Sequence, residues 1–181
     1  DFNMIKEFQG EYRWLSNFMP CEVYLEGIEY KSVEHAYMSA KSSDPAWKTI
    51  CQTTESPGHV KRQSRTIAIR KDWEFVKKTI MLECLIQKYK QEPYKTNLIN
   101  TGDLYIQEGN TWGDKFWGID LRTGHGQNNL GLMIMNIRTD LQYNNISNLA
   151  ENKNKSYTVE TKAPPVDETF RYWMEHGTFP D

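Results

Sequence analysis

The sequence predicts an α+β protein: a single mainly helical domain with small β elements and a short C-terminal appendage. Three observations lead there. A hairpin pattern near the start gives way to helical periodicities without the regular strand–helix alternation of an α/β sheet. No internal repeat of solenoid period is present. The length, 181 residues, suits one domain with a sizeable core. That domain is expected over residues 1–143, a polar linker over 144–165 and a helical tail over 166–181.

Taken in order, Phe8 to Phe18 reads as a short extended or turn-rich segment, ending at Pro20. Cys21 to Tyr24, the Glu26-Gly27 turn and Ile28 to Tyr30 make the hairpin. Ser32 is the N-cap of a helix that runs to Lys41. Ser56-Pro57, a cap followed by proline in the first turn, opens another helix through His59, Val60 and Lys61. The strongest helix carries Trp73, Val76, Ile80, Cys84 and Leu85 at core-facing spacing up to about Lys90. Tyr94 to Ile99 is a short helix, Thr101-Gly102-Asp103 a turn and Leu104 to Gln107 a strand. Trp112 to Gly118 forms a glycine-bracketed loop or strand edge. Gly124 to Gly131 opens the last major helix, with Leu130, Met133, Ile134, Ile137 and Leu141 facing the core. Beyond Asn144 the chain turns rich in Asn, Ser and Lys, and Pro164-Pro165 breaks regular structure before a short helix over Asp167 to His176.

Composition narrows the possible functions. Apolar content of 38% with 25% charged residues describes a soluble globular chain, and no apolar run reaches membrane-span length, so no membrane partner is expected. A formal net charge of −2 argues against broad attraction to nucleic acid, and any contact with phosphates must be local. Cys21, Cys51 and Cys84 are odd in number and widely separated, which disfavours a disulfide framework and a zinc site and suggests a reducing compartment, with a cytoplasmic placement as the default expectation. His35, His59, His125 and His176 lack metal-site spacing, so neither metal nor cofactor is expected. Six Trp and ten Tyr supply flat faces suited to core packing and equally to stacking on bases or sugars.

The chemistry concentrates in the helix after Ser32. At ~100° per residue, Val33, Ala36, Tyr37 and Ala40 form its apolar stripe, while Ser32, His35, Ser39 and Ser42 share the polar side. Its two full charges, Glu34 and Lys41, flank the apolar stripe instead of joining the serines. Seven residues apart, they lie roughly 10 Å apart along the axis, too far for a direct ion pair but within reach of one ligand. Lys61, Arg62, Arg65, Arg70 and Lys71 form a basic cluster suited equally to phosphates and to a solvated helix face. The glycine-rich stretch before the last helix offers backbone amides and a positive dipole end to an anion, and serves as well for tight packing.

Trp14-Leu15-Ser16-Asn17-Phe18, the Glu34-His35-Ala36 helix ending in Lys41, Arg70-x-Asp72-Trp73, Thr101-Gly102-Asp103, Trp112-x-Asp114-x-x-Trp117-Gly118 and Gly124-x-Gly126-x-Asn128-x-Leu130-Gly131 occur in this order. Together they resemble the NADAR family, with its YbiA-like fold, from about Phe8 to Leu141. Two positions depart from the family pattern: Lys61-Arg62-Gln63 stands where a glycine-arginine pattern is more usual, and Gln127 replaces a common lysine. The resemblance implies an N-glycosidase that acts on ADP-ribosylated guanine or on ribosylated pyrimidine intermediates of riboflavin synthesis. It implies Glu34 as the catalytic carboxylate, Lys41 as its neighbouring lysine, and Trp73, Trp112, Asp114 and Trp117 in the pocket. Substrate contacts are further expected at Asn17, Arg62, Arg70, Gly126 and Asn128.

A carboxylate aimed at a ribose stabilises the positive charge that builds there as the base leaves, or activates water. Lys41 has two roles open to it, a desolvated amine that attacks the anomeric carbon or a cation that grips phosphate. Asp114 is expected to protonate the leaving base or orient the sugar. The expected ligand is ADP-ribose or an ADP-ribosylated nucleobase. A non-catalytic ADP-ribose or NAD reader is the rival from a different class.

Overall fold

The computed structural model describes residues 3–153, with side chains to residue 144. Within the stretch expected as one domain, the chain falls into two compact units. The sheet unit takes the residues up to Phe8 and those from Lys95 onward, and the helical unit takes Gln9–Tyr94.

In the sheet unit, β1 (Met4–Glu7), β4 (Tyr105–Asn110) and β5 (Ile119–Asp120) form a parallel sheet in the order β1-β4-β5. Neither edge strand is anticipated by the sequence, because four- and two-residue strands carry too little periodicity. A parallel pair needs a long crossover, and here the whole helical unit is threaded between β1 and β4 in sequence. Ile5 and Ile106 pair in register and are both buried. The long α6 (Asn129–Lys153) packs on β4 through Leu130, Met133, Ile134, Ile137 and Leu141, the expected stripe, and all five are buried.

α6 runs through residues 144–153, where the sequence predicts linker. Asn and Ser cost a helix only a few tenths of a kcal/mol each, whereas a started helix gains one hydrogen bond per added residue. The remainder of that expected linker, 154–165, and the tail expected over 166–181 lie outside the described residues.

The helical unit begins with a 3₁₀ helix over Gly10–Leu15, where an extended or turn-rich segment is expected. The hairpin follows as β2 (Val23–Leu25) and β3 (Ile28–Tyr30), joined by Glu26 and Gly27. Both turn residues have positive φ, the geometry that matches the twist of a two-residue hairpin. Then come α1 (Val33–Ser39), α2 (Pro45–Thr53), α3 (Pro57–Gln63) and α4 (Trp73–Tyr89), and α5 (Tyr94–Asn100) leads into the sheet unit. α2 is not anticipated by the sequence, although Asp44-Pro45 repeats the cap-and-proline signal of Ser56-Pro57. In each case the cap side chain accepts a backbone N–H, Ala46 for Asp44 and His59 for Ser56.

α1 is the hub of this unit, in contact with α2, α3, α4 and both hairpin strands. All seven of its residues are buried, so the two-faced helix expected from the sequence is corrected to one enclosed on every side. Its polar residues are accommodated by local hydrogen bonds. His35 sits 2.6 Å from Ser32 Oγ and 2.8 Å from the Thr54 carbonyl, and Ser39 donates to the Ala36 carbonyl.

Candidate functional site

Glu34 stands in the first turn of α1, where the positive end of the helix dipole favours a carboxylate. It is only 6% exposed, and its backbone N–H donates to the Asn17 carbonyl at 3.1 Å. Lys41 lies just past the helix, after the C-cap Ala40, and its N–H closes a tight turn onto the Met38 carbonyl. The two side chains share an electrostatic environment. Burial pushes the Lys41 amine below its ordinary range, Glu34 pulls it back up, and Lys61, Lys77 and Arg65 push it down again. The Lys41 ammonium lies 5.8 Å from the centre of the Trp73 ring, and Trp73 meets Tyr37 at 5.0 Å, tilted by 47°. A carboxylate, a desolvated amine and two aromatic faces therefore meet in the helical unit.

The main chain locks this arrangement. Arg70 N–H donates to the Lys41 carbonyl at 2.8 Å, and Trp73 N–H to the Arg70 carbonyl, so the lead-in to α4 is tied to the end of α1. The Arg70 guanidinium forms a two-pronged ion pair with Asp72 near the surface. Arg62 is exposed in the last turn of α3. Asn17 donates its amide to the Met81 sulfur, while its Oδ1 is buried without a hydrogen-bond partner. A buried acceptor left unpaired carries a penalty that a ligand hydroxyl would relieve.

The sheet unit holds the remaining expected residues in a different way. Asp114 Oδ1 accepts the backbone N–H groups of Phe116 and Trp117, and its own N–H and carbonyl bond the Asn110 side chain. This carboxylate oxygen shapes the loop. Trp112 is 60% exposed, and Trp117 is half-buried with its ring edge-on to Phe116 at 4.8 Å. The amides that the sequence offers to an anion before α6 are occupied: Gln127, Asn128, Asn129 and Leu130 donate to the carbonyls of Lys115, Gly118, Phe116 and Trp117. The expected anion cradle is thus corrected to a loop-to-helix clamp, because carbonyls already sit where an anion would. Gly126 packs so closely that a Cβ would fall on the Gly118 carbonyl, and its φ of +153° excludes most side chains. Asn128 is buried, with Oδ1 accepting from Glu108 N–H and Nδ2 donating to the Ile106 carbonyl and the Tyr105 hydroxyl.

One buried cation is absent from the sequence expectations. Lys88 on α4 is 0% exposed and donates to the Trp14 and Ser16 carbonyls at 2.9 Å each. A signal for it existed: it follows Met81, Cys84 and Leu85 on the core-facing stripe, a charge on the apolar side just as Glu34 is. Among the described residues, no three His, Cys, Asp or Glu converge as metal ligands, and no helix is long and apolar enough to cross a membrane.

The sequence model of the NADAR domain matches residues 4–142. The chain belongs to the NADAR family. A riboflavin biosynthesis protein of Vibrio vulnificus is 32% identical over 141 residues, which cover 76% of this chain and 38% of that protein. An N-glycosidase of Nostoc punctiforme is 30% identical over 137 residues, 72% of this chain and 86% of the relative. Escherichia coli N-glycosidase YbiA is 29% identical over 134 residues, covering 72% and 82%. The solution structure of the E. coli protein superposes with a TM-score of 0.66 at 25% identity, covering 88% of this chain and 93% of that one. This NADAR chain therefore has the mixed helix-and-sheet fold of YbiA.

Proposed function

We propose that this NADAR chain hydrolyses the N-glycosidic bond between ADP-ribose and a nucleobase, guanine in DNA or RNA, and so reverses ADP-ribosylation. The broader class, an N-glycosidase, is the one its relatives from Nostoc and E. coli carry in their names. The observation that carries the reading is the buried Glu34 carboxylate coupled to a Lys41 amine with a lowered proton affinity.

As the bond from ribose to base breaks, positive charge gathers on the anomeric carbon and ring oxygen, and a desolvated carboxylate stabilises it far better than water does. Glu34 takes that role and draws a proton from the incoming water. Lys41, whose proton affinity is lowered by burial and then by Lys61, Lys77 and Arg65, gives up its proton more readily than a free lysine and is then suited to attack the anomeric carbon. Its lone pair forms the new C–N bond as the bond to the base breaks, and the proton the nitrogen then loses goes to the departing base. The sugar ring opens to an imine, and water returns the free sugar and the amine. The three neighbouring cations give the diphosphate of ADP-ribose a counter-charge. Asn17 Oδ1 accepts a ribose hydroxyl. Asp114 is assigned to holding the Trp112–Trp117 loop.

A second reading, the same bond cleavage on a smaller phosphoribosylated pyrimidine, is favoured by the names of the riboflavin biosynthesis relatives from Vibrio and maize. Incubation with guanine-ADP-ribosylated DNA and, separately, with ribosylaminopyrimidine phosphate distinguishes the two by which sugar phosphate appears. The first reading expects free ADP-ribose, a loss of its release in Glu34→Gln, and a borohydride-trapped adduct that disappears in Lys41→Ala. Release from neither substrate together with measurable ADP-ribose affinity points instead to a non-catalytic reader.

A further inference from the structure

The 3₁₀ helix and the four residues that follow it form a strap across the start of α1. Asn17 lies near its end, with its carbonyl accepting the N–H of Glu34. Two carbonyls upstream, those of Trp14 and Ser16, point at the Lys88 amine at 2.9 Å each. The Asn17 side-chain amide reaches the sulfur of Met81, which lies two turns before Lys88 on α4. One face of α4 therefore grips the strap at two places, and the strap in turn holds the backbone of Glu34.

We propose that Lys88 is a positioning residue for the reaction: it fixes the Trp14–Asn17 strap and, through the Asn17 carbonyl, the direction in which α1 presents Glu34. A purely apolar residue here would remove the Lys88 donor from the Trp14 carbonyl and leave the Ser16 carbonyl with the Met19 N–H alone, a reason for some donor but not for an amine at full burial. What the amine adds is reach: one atom on a flexible stem serves both carbonyls at once. The Tyr94 ring, 4.8 Å away, and the Tyr89 ring, 5.1 Å away, cover the remaining sides. Burial brings this amine down to about 7, against a weaker upward pull from Cys21. A neutral amine keeps two N–H groups, enough for both carbonyls, so the strap is held in either protonation state.

This inference rests on the assignment of Glu34 to the chemistry, and the test separates the two. Lys88→Met removes both donors, and Lys88→Gln restores two N–H groups on a neutral side chain one bond shorter. Each variant is compared with the unaltered protein for its melting profile, for kcat and KM on ADP-ribosylated DNA, and for hydrogen exchange at the Glu34 amide read by NMR. Lys88→Met is expected to lower kcat by about 100-fold with KM changed less than about threefold, since misplacement near the reacting atoms weakens the transition state more than binding. Exchange at the Glu34 amide should rise at least about tenfold beyond the change in neighbouring α1 amides, and Lys88→Gln should recover most of both effects. If Lys88→Met does not fold, Lys88→Gln decides instead, because its side chain is one bond too short to hold both carbonyls fully: a residual rise of about two- to threefold in exchange, confined to the Glu34 amide, is expected against the unaltered protein. Unchanged Glu34 exchange in folded Lys88→Met or, where that variant does not fold, in Lys88→Gln overturns the positioning role whatever the activity. An altered exchange rate with no turnover in any protein, the unaltered one included, retains the strap and instead overturns the assigned reaction.

Discussion

The two units of this protein differ in what some of their buried polar groups are held for. In the sheet unit, Asn110, Asn128 and Arg138 are buried and hydrogen-bonded: Asn110 with Glu108 and Asp114, Asn128 with Glu108 and Ile106, Arg138 through Nη1 with Thr101 and Leu104. In the helical unit, Glu34 is buried beside an amine of lowered proton affinity, burial brings the Lys88 amine down to about 7, and Asn17 keeps an unpaired acceptor. Satisfied polar groups define shape, whereas desolvated groups with altered proton affinity are poised for chemistry. The proposed function accordingly assigns reactivity to the helical unit and scaffolding to the loop from Glu108 to Asn128.

The sharpest way to break that comparison is Glu34→Gln, which keeps the size and one acceptor oxygen but removes the charge. Turnover should fall by about 100- to 1,000-fold with little change in the thermal midpoint, measured by product release and by a melting curve. Asn128→Ala should do the reverse. It strands the Glu108 N–H and the Ile106 carbonyl and places alanine at a φ of +54°, so urea unfolding should show a loss of about 2–4 kcal/mol. The folded fraction should keep near-normal kcat, and a selective loss of kcat in fully folded protein would move chemistry into the sheet unit.

A smaller effect sharpens the role of Asp114. Asparagine keeps an acceptor for the Phe116 and Trp117 amides, so Asp114→Asn should retain activity within about fivefold, while Asp114→Ala should lose about 1–2 kcal/mol of stability. A large drop in kcat for Asp114→Asn alone would instead assign it proton transfer. The smallest effect is one of pH. Burial holds His35 below its ordinary 6.5, so the folded state binds this proton less readily than the unfolded chain does. Its contribution is complete above 6.5 and is lost as pH falls through the lower folded value. Melting temperature plotted against pH should therefore fall less steeply on the acid side in His35→Gln than in the unaltered protein.

Where the sequence was legible, a strong local rule acted alone. The hairpin follows from Glu26-Gly27, the start of α1 from Ser32, that of α3 from Ser56-Pro57, and the core stripe of α6 from its spacing. The same reasoning singled out Glu34 and Lys41, because charges beside an apolar stripe need partners. It described their helix as two-faced, since nothing local reveals that α2, α3, α4 and the hairpin close around it. The strands β1 and β5 were missed because a short strand is stabilised by its neighbour across the sheet, not by its own pattern.

Residue order alone thus determined which groups are chemically capable and which segments coil, since caps, turns and periodicity act over a few residues. Only the tertiary structure decided which of those groups remain available. Hydrogen-bond partners and desolvation come from segments distant in sequence: residues 115–118 occupy the amides before α6, and Lys88 reaches back to Trp14 and Ser16.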